Sequence, residues 1–117
     1  MASVVYGGLL DNTKITITNK LSQSLTIHCQ DKGNDDGYHT LNPNESHRFK
    51  FLANPFNKKT LWFCSFKWNG KFHRYDIYDE RTNSCYNYNC FWLIKEDGPC
   101  QIIHSLNDSP LCFSWKE

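Results

Sequence analysis

The chain has 117 residues, enough for one domain and too few for two of ordinary size, and its 39% hydrophobic and 15% aromatic content excludes a disordered tail. Thirteen Lys and Arg against twelve Asp and Glu leave a formal charge of +1, which excludes steering of the whole molecule toward nucleic acid or an anionic membrane. No apolar run approaches the roughly 20 residues that span a bilayer, so membrane insertion is not expected.

Along the chain, periodicity gives strands almost everywhere. Ser3–Leu10 is a short apolar run without the basic n-region or cleavage site of a signal peptide; a mature form is expected, its leader removed and Met1 supplied for expression. Lys14–Asn19 alternates apolar and polar, as a half-buried strand does, and Ser24–Cys29 repeats the pattern with Leu25, Ile27 and Cys29 on one face. The short Leu21–Gln23 connection predicts a hairpin between them. Gln30–Gly37 is a polar loop, Tyr38–Leu41 a short strand, Asn42-Pro43-Asn44 a turn, and Glu45–Phe51 a strand with His47, Phe49 and Phe51 on one face. Ala53–Lys59 is a loop. Thr60–Trp68, apolar on both faces, is the candidate for a central position. Asn69-Gly70 predicts a type I′ hairpin turn into Lys71–Tyr78, because both residues tolerate positive φ. Asp79–Asn89 is a long polar loop, Cys90–Ile94 a strand, Asp97-Gly98-Pro99 a turn, Cys100–His104 a last strand, and Ser105–Glu117 a tail. No segment repeats apolar residues at helical spacing. The expected fold is all-β: a single domain over 1–117, its core at about 14–104 and its tail at 105–117, built as an antiparallel β-sandwich of about eight short strands, with a barrel as the alternative.

Six cysteines, Cys29, Cys64, Cys85, Cys90, Cys100 and Cys112, lie among these segments, and no two are two or three positions apart as zinc ligands commonly are. An even count without metal spacing predicts three disulfides, an oxidising compartment and hence secretion; spacing alone leaves the pairing open. The bridges would brace a core that so short a chain only partly fills.

The chemistry-bearing residues are read mostly as structural. His28, His39, His47, His73 and His104 show no His-x-His or His-x-x-x-His pair, so no metal site is expected and structural or surface roles are assigned. A Cys–His nucleophile would need a free thiol. Asp35 and Asp36, with Asp76 and Asp79, could be the paired carboxylates of a glycosidase, but Asp31–Asp36 reads better as a loop whose side chains cap its own backbone, and adjacent residues point apart. A calcium site would need the spaced oxygens and terminal Glu of an EF-hand, which the loop lacks. No catalytic residue and no cofactor are expected. Trp62, Phe63, Phe66, Trp68, Phe72, Tyr75, Tyr78, Phe91 and Trp92 could stack sugars or bases, but as large apolar groups on pleated strands they are read mainly as core. Tyr86 and Tyr88, flanked by Asn in a loop, are read as partner-facing. Two sequons mark glycosylation candidates, Asn44 in a turn and Asn107 in the tail, the second disfavoured by Pro110 directly after it.

Taken in order, Ile17-Thr-Asn19-Lys-Leu21, Leu25-Thr-Ile-His-Cys29, the Asp-rich loop ending Gly37-Tyr-His39, Leu61-Trp-Phe-Cys-Ser-Phe-Lys-Trp68, Asp76-Ile-Tyr78, Cys90-Phe-Trp92-Leu-Ile94 and Asp97-Gly98 resemble the plant self-incompatibility protein family, the S-protein homologues. The likeness runs from about residue 14 to residue 104. It implies a small secreted plant protein with a β fold and disulfides, whose founding relatives are stigma-secreted ligands that engage a pollen membrane partner. Cys29, Cys64, Cys85 or a near neighbour, and Cys90 match the family's four core cysteines. Cys100 and Cys112 lie outside that pattern and flank the last strand and the tail, so they are expected to pair with each other and the other four to form two bridges. The loop after Tyr78 corresponds to the hydrophilic loop proposed for recognition in the family, which places Asp79, Glu80, Arg81, Thr82 and Asn83 beside Tyr86 and Tyr88 as partner-binding candidates.

The function expected is thus an extracellular signalling or recognition ligand for a cell-surface receptor protein, acting as a monomer and not as an enzyme. An apoplastic glycan-binding or defence protein is the alternative, with an extracellular hydrolase behind it.

Overall fold

A computed structural model describes residues 12–52, 60–80, 85, 88–102 and 109–115. Among them are nine strands and no helix: β1 (Thr13–Asn19), β2 (Leu25–Gln30), β3 (Asp35–Leu41), β4 (Ser46–Phe51), β5 (Leu61–Trp68), β6 (Lys71–Asp79), β7 (Asn89–Lys95), β8 (Gly98–Ile102) and β9 (Leu111–Cys112). They form a five-stranded sheet in the order β4-β1-β7-β8-β9 and a four-stranded sheet in the order β3-β2-β5-β6. Ile15, Ile17, Trp92 and Ile94 of the first sheet and Leu25, Ile27, Phe66 and Trp68 of the second are buried in one cluster between them, which is the packing of a β-sandwich.

Alternation explains most of this burial. In β5 the residues Trp62, Cys64, Phe66 and Trp68 are buried while their neighbours are half-buried or exposed, and the strand is central, between β2 and β6. The hairpin at Asn69-Gly70 forms as expected: φ is 46° and 78° at the two residues, and Trp68 faces Lys71 across the turn. On β4 the faces also divide as read, with His47, Phe49 and Phe51 half-buried and Ser46, Arg48 and Lys50 exposed. The ring of Phe49 lies 4.9 Å from that of Trp62, and Phe51 lies 5.0 Å from Tyr78 edge-on, so β4 packs across the sandwich onto β5 and β6. Where alternation fails, a bulge intervenes. Phe63 faces Asp76 and Trp62 faces Tyr78, which leaves Ile77 as an extra residue on β6 and lets Ile77 and Tyr78, adjacent in sequence, both be buried.

Three expectations about connectivity are corrected. Residues β1 and β2 do not form a hairpin; they belong to different sheets. The chain crosses between the sheets after Asn19, whose fully buried side chain donates to the carbonyls of Gln23 at 2.9 Å and Leu41 at 3.0 Å and accepts from the Leu21 N–H at 2.8 Å. A buried amide that satisfies three backbone groups stabilises this crossover and has no role to play in a plain hairpin. Secondly, the sandwich is not wholly antiparallel, because β1 lies parallel to β7 with Ile15 opposite Cys90 and Ile17 opposite Trp92.

Thirdly, residues beyond 104 read as a tail contain β9 and a pair of packed aromatics. Phe113 donates its N–H to Pro99, and Trp115 donates its indole N–H to Glu96 O at 3.0 Å while its ring stacks on His73 at 4.6 Å. Since His73 lies on β6 and Glu96 in the β7–β8 turn, Trp115 joins the two sheets. The close passage explains Gly98, which opens β8 instead of closing a turn: a Cβ there would collide with the Phe113 carbonyl. The earlier strand ends also move, since Asp35–Gly37, read as loop, opens β3.

All six cysteines are bridged, as Cys29–Cys64, Cys85–Cys90 and Cys100–Cys112. Cys29 and Cys64 face each other across β2 and β5, and Cys100 and Cys112 across β8 and β9.

Candidate functional site

Two regions carry chemistry that the core does not absorb. The first is the segment between β6 and β7. Asp79 ends β6, half-buried opposite Leu61. Glu80 is also half-buried: its N–H donates to Thr60 O at 2.9 Å and its carboxylate accepts from the Thr60 N–H at 3.4 Å, so it fastens the entry of the loop to the start of β5. Arg81, Thr82, Asn83 and Tyr86 lie outside the described residues, as does Asn107. Cys85 is tied to Cys90, a buried residue of β7, which closes a ring of chain containing Tyr88. Tyr88 is 43% exposed with φ at 62°, and its carbonyl accepts from the Lys14 N–H at 2.9 Å. Its backbone is thus fixed on both sides while the ring meets solvent.

The second region was not found from sequence. Asp31 accepts from the N–H groups of Gly33 at 2.9 Å and Asn34 at 2.7 Å, which is the backbone capping expected of this loop. From Asp35 onward β3 is bulged. Tyr38 faces His28 and Asp35 faces Gln30, so Asp36 and Gly37 together oppose the single Cys29, with Gly37 at φ 85°. Strict alternation would put Asp36 on the face of Tyr38 and Thr40. The extra residue reverses the phase, and Asp36 is half-buried together with His39 while Asp35, Tyr38 and Thr40 are exposed.

The result is two His–carboxylate groups at the edge where β3 and β4 meet. Asp35 Oδ1 lies 2.7 Å from His28 Nε2 and accepts the Gly37 N–H at 2.8 Å, and His28 stacks on Tyr38 at 4.1 Å. The Gly37 N–H first, and the His28 bond next, hold the Asp35 carboxyl below the usual carboxylate range. Asp36 turns the other way: its Oδ2 lies 2.7 Å from His47 Nε2 and 3.2 Å from His39 Nε2. The rings of His39 and His47 stack at 3.7 Å, although one belongs to each sheet. Asp35 and Asp36 also line a cavity of about 360 Å³ whose wall includes Lys50, Phe49, Phe51 and Trp62. The carboxylates diverge, Asp35 to His28 and Asp36 to His39 and His47, as adjacent residues were expected to do. Asp76 is exposed on β6, and Asp79 lies at that strand's end.

His39 and His47 are eight apart in sequence and lie on different sheets, a separation that neither His-x-His nor His-x-x-x-His spacing covers. The available signal was Gly37 interrupting an alternating run, a mark of a bulge. The core reading of the aromatics holds for Trp62, Phe66, Trp68, Tyr78 and Trp92, which are buried, and not for Phe72, which is 58% exposed. Asn44 is exposed in its turn at φ 69°.

Comparison with known proteins agrees with the fold. The sequence is 41% identical over 115 residues to S-protein homolog 5 of Arabidopsis thaliana, covering 95% of this chain and 86% of that protein. It is 36% identical over 110 residues to S-protein homolog 2 of the same plant, covering 88% and 68%. A solved self-incompatibility protein homologue, from a widespread family of small, highly stable, secreted plant proteins, superposes with a TM-score of 0.69 over 92% of this chain and 97% of that one, at 17% identity. The profile of plant self-incompatibility protein S1 matches residues 14–115, through β9 and Trp115. The chain belongs to the plant self-incompatibility protein S1 family, the S-protein homologues.

Proposed function

We propose that this protein is a secreted extracellular ligand that presents the β6–β7 connection of a rigid sandwich to a protein on a cell surface. The observation that carries the reading is the Cys85–Cys90 bridge, which ties the ring bearing Tyr88 to a buried core strand. A recognition element fixed before binding loses less conformational entropy on docking, and an exposed tyrosine offers large, amphipathic contact area. Secretion is supported by three disulfides, which persist in oxidising compartments, and by the secreted character of the solved relative. Asn44, exposed in its turn, is the proposed glycan acceptor. Glu80 contributes by shaping the loop's entry; Arg81, Thr82, Asn83, Tyr86 and Tyr88 are the residues proposed to face the partner.

The test is binding of the labelled, folded protein to plant cell surfaces, followed by covalent capture of what it touches. Replacing Arg81, Asn83 and Tyr88 together by Ala, Ala and Asn should leave the unfolding midpoint nearly unchanged and abolish saturable binding. A triple variant that binds with unchanged affinity would remove this loop from the function.

A further inference from the structure

We propose that Asp36, His39 and His47 form a binding site for a divalent transition-metal cation, zinc best fitting the donors. One carboxylate oxygen and two imidazole nitrogens lie within 4.8 Å of one another, with Asp36 Oδ2 at 2.7 Å from His47 Nε2 and 3.2 Å from His39 Nε2. Ligands of a tetrahedral zinc bound at its usual lengths lie about 3.3 Å apart, so small rotations of half-buried side chains suffice. The donor set decides the metal. Calcium and magnesium take all-oxygen sites, whereas two imidazoles with one carboxylate suit zinc and its neighbours in the first transition row. Every cysteine is engaged in a bridge, so no thiolate competes for the ion. Three protein ligands leave a position for water.

The placement of the trio is also that of a built site. Asp36 comes from a bulge that turns it onto the face of His39, and bulges commonly re-aim side chains at functional positions. His39 stands on the edge of one sheet and His47 on the edge of the other, joined by the turn in which Asn42 N–H donates to Glu45 Oε1 at 2.7 Å and Asn44 N–H to Asn19 O at 2.7 Å. A cation here would cross-link the two sheets where nothing else bridges β3 to β4 by a strand ladder. The neighbouring Asp35, exposed and lying against His28, adds negative charge to the approach. Without the ion, the Nε2 proton of His39 goes to the Asp36 carbonyl at 2.8 Å; with it, that proton moves to Nδ1, and any imidazolium in the trio releases one proton per ion bound.

The experiment is calorimetric titration of the full chain with zinc chloride in a non-chelating buffer, together with imidazole NMR of the wild-type protein. The expected result is one zinc per chain, resonance changes at His39 and His47 and not at His73, and at least tenfold weaker binding in Asp36→Asn and in His47→Gln, with His73→Gln as control. A wild-type chain that binds no zinc, or that shifts other histidines instead, overturns the site, and so does undiminished affinity in both ligand variants. The NMR readout needs no variant and keeps the proposal testable if a substitution prevents folding.

Discussion

Asn19, at the end of β1 in the larger sheet, donates its side-chain amide to Leu41 O, at the end of β3 in the smaller sheet, over 3.0 Å. The same side chain serves Gln23 O and the Leu21 N–H, and it is wholly shielded from water. Asn19→Ala would leave two carbonyls and one N–H short of a partner, and each buried polar group so stranded costs about 1–3 kcal/mol. Denaturant unfolding should show a loss of roughly 3 kcal/mol, and Asn19→Asp should do no better, since a carboxylate cannot donate and is costly to bury. A loss below about 0.5 kcal/mol in both variants would deny the crossover its anchor.

Disulfide removal should follow loop length. The bridges close separations of 35, 12 and 5 residues for Cys29–Cys64, Cys100–Cys112 and Cys85–Cys90. On the chain-entropy account, paired Cys→Ala replacements cost about 4, 3 and 2 kcal/mol in that order. Unfolding curves of the three double variants check the ranking; equal losses would show that native packing, not the unfolded chain, sets the effect.

The segment after residue 108 contributes to stability through Trp115. Trp115→Ala removes ring contacts to His73 at 4.6 Å and Phe66 at 5.5 Å and the indole bonds to Lys95 and Glu96 carbonyls. The site is half-buried, so the expected loss is about 2 kcal/mol, below the 3–5 of a fully buried Trp. Melting of the variant at the wild-type temperature would return the segment to the status of a tail.

Stability should fall at both ends of the pH scale, for groups that can be named. Asp35 has a depressed carboxyl pKa, owing first to the Gly37 N–H and then to His28. Its contribution is therefore present above the unfolded value of about 3.9 and lost as pH falls through the folded value. Tyr78 is raised, by burial first and Glu80 next; its contribution is present below the unfolded value of about 10 and lost as pH climbs through the folded one. Asp35→Asn should flatten the acid limb and Tyr78→Phe the alkaline limb in unfolding midpoints measured across pH. Unaltered limbs in the two variants would place the titrating groups elsewhere.

Gly37→Ala tests the bulge. The position has open space around it, but φ of 85° strains any residue with a Cβ, at about 1–2 kcal/mol. The expected loss lies in that range, read by denaturant unfolding, whereas Gly33→Ala, with equally open surroundings and no positive φ, should change little.

These relationships also mark what could be read from residues in order. Local signals were sufficient where the physics is local: Asn69-Gly70 set its turn, and the alternation of Leu25, Ile27 and Cys29 set the inner face of β2. They were insufficient where a distant partner decides. The three residues Leu21–Gln23 fit a hairpin as well as a crossover, and what selects the crossover is Leu41, far along the chain. The parallel β1–β7 pair leaves no trace in either strand alone. Asp36 was read in a loop, and it shares a face with His39 only because Gly37 shifts the count, where a strict period of two would set them on opposite faces.

The parallel pairing of β1 with β7 reaches into how the molecule is made. A ribosome delivers β1 early, and β4 follows soon enough to cover one flank, but the strand that fills the other flank begins only at Asn89. Until then the inner edge of the larger sheet is open, with Ile15 and Ile17 beside unpaired backbone groups, the kind of edge that invites pairing between chains. The middle of that sheet closes late in synthesis, so refolding should be slow for so short a chain, on the millisecond-to-second scale of β proteins rich in distant contacts.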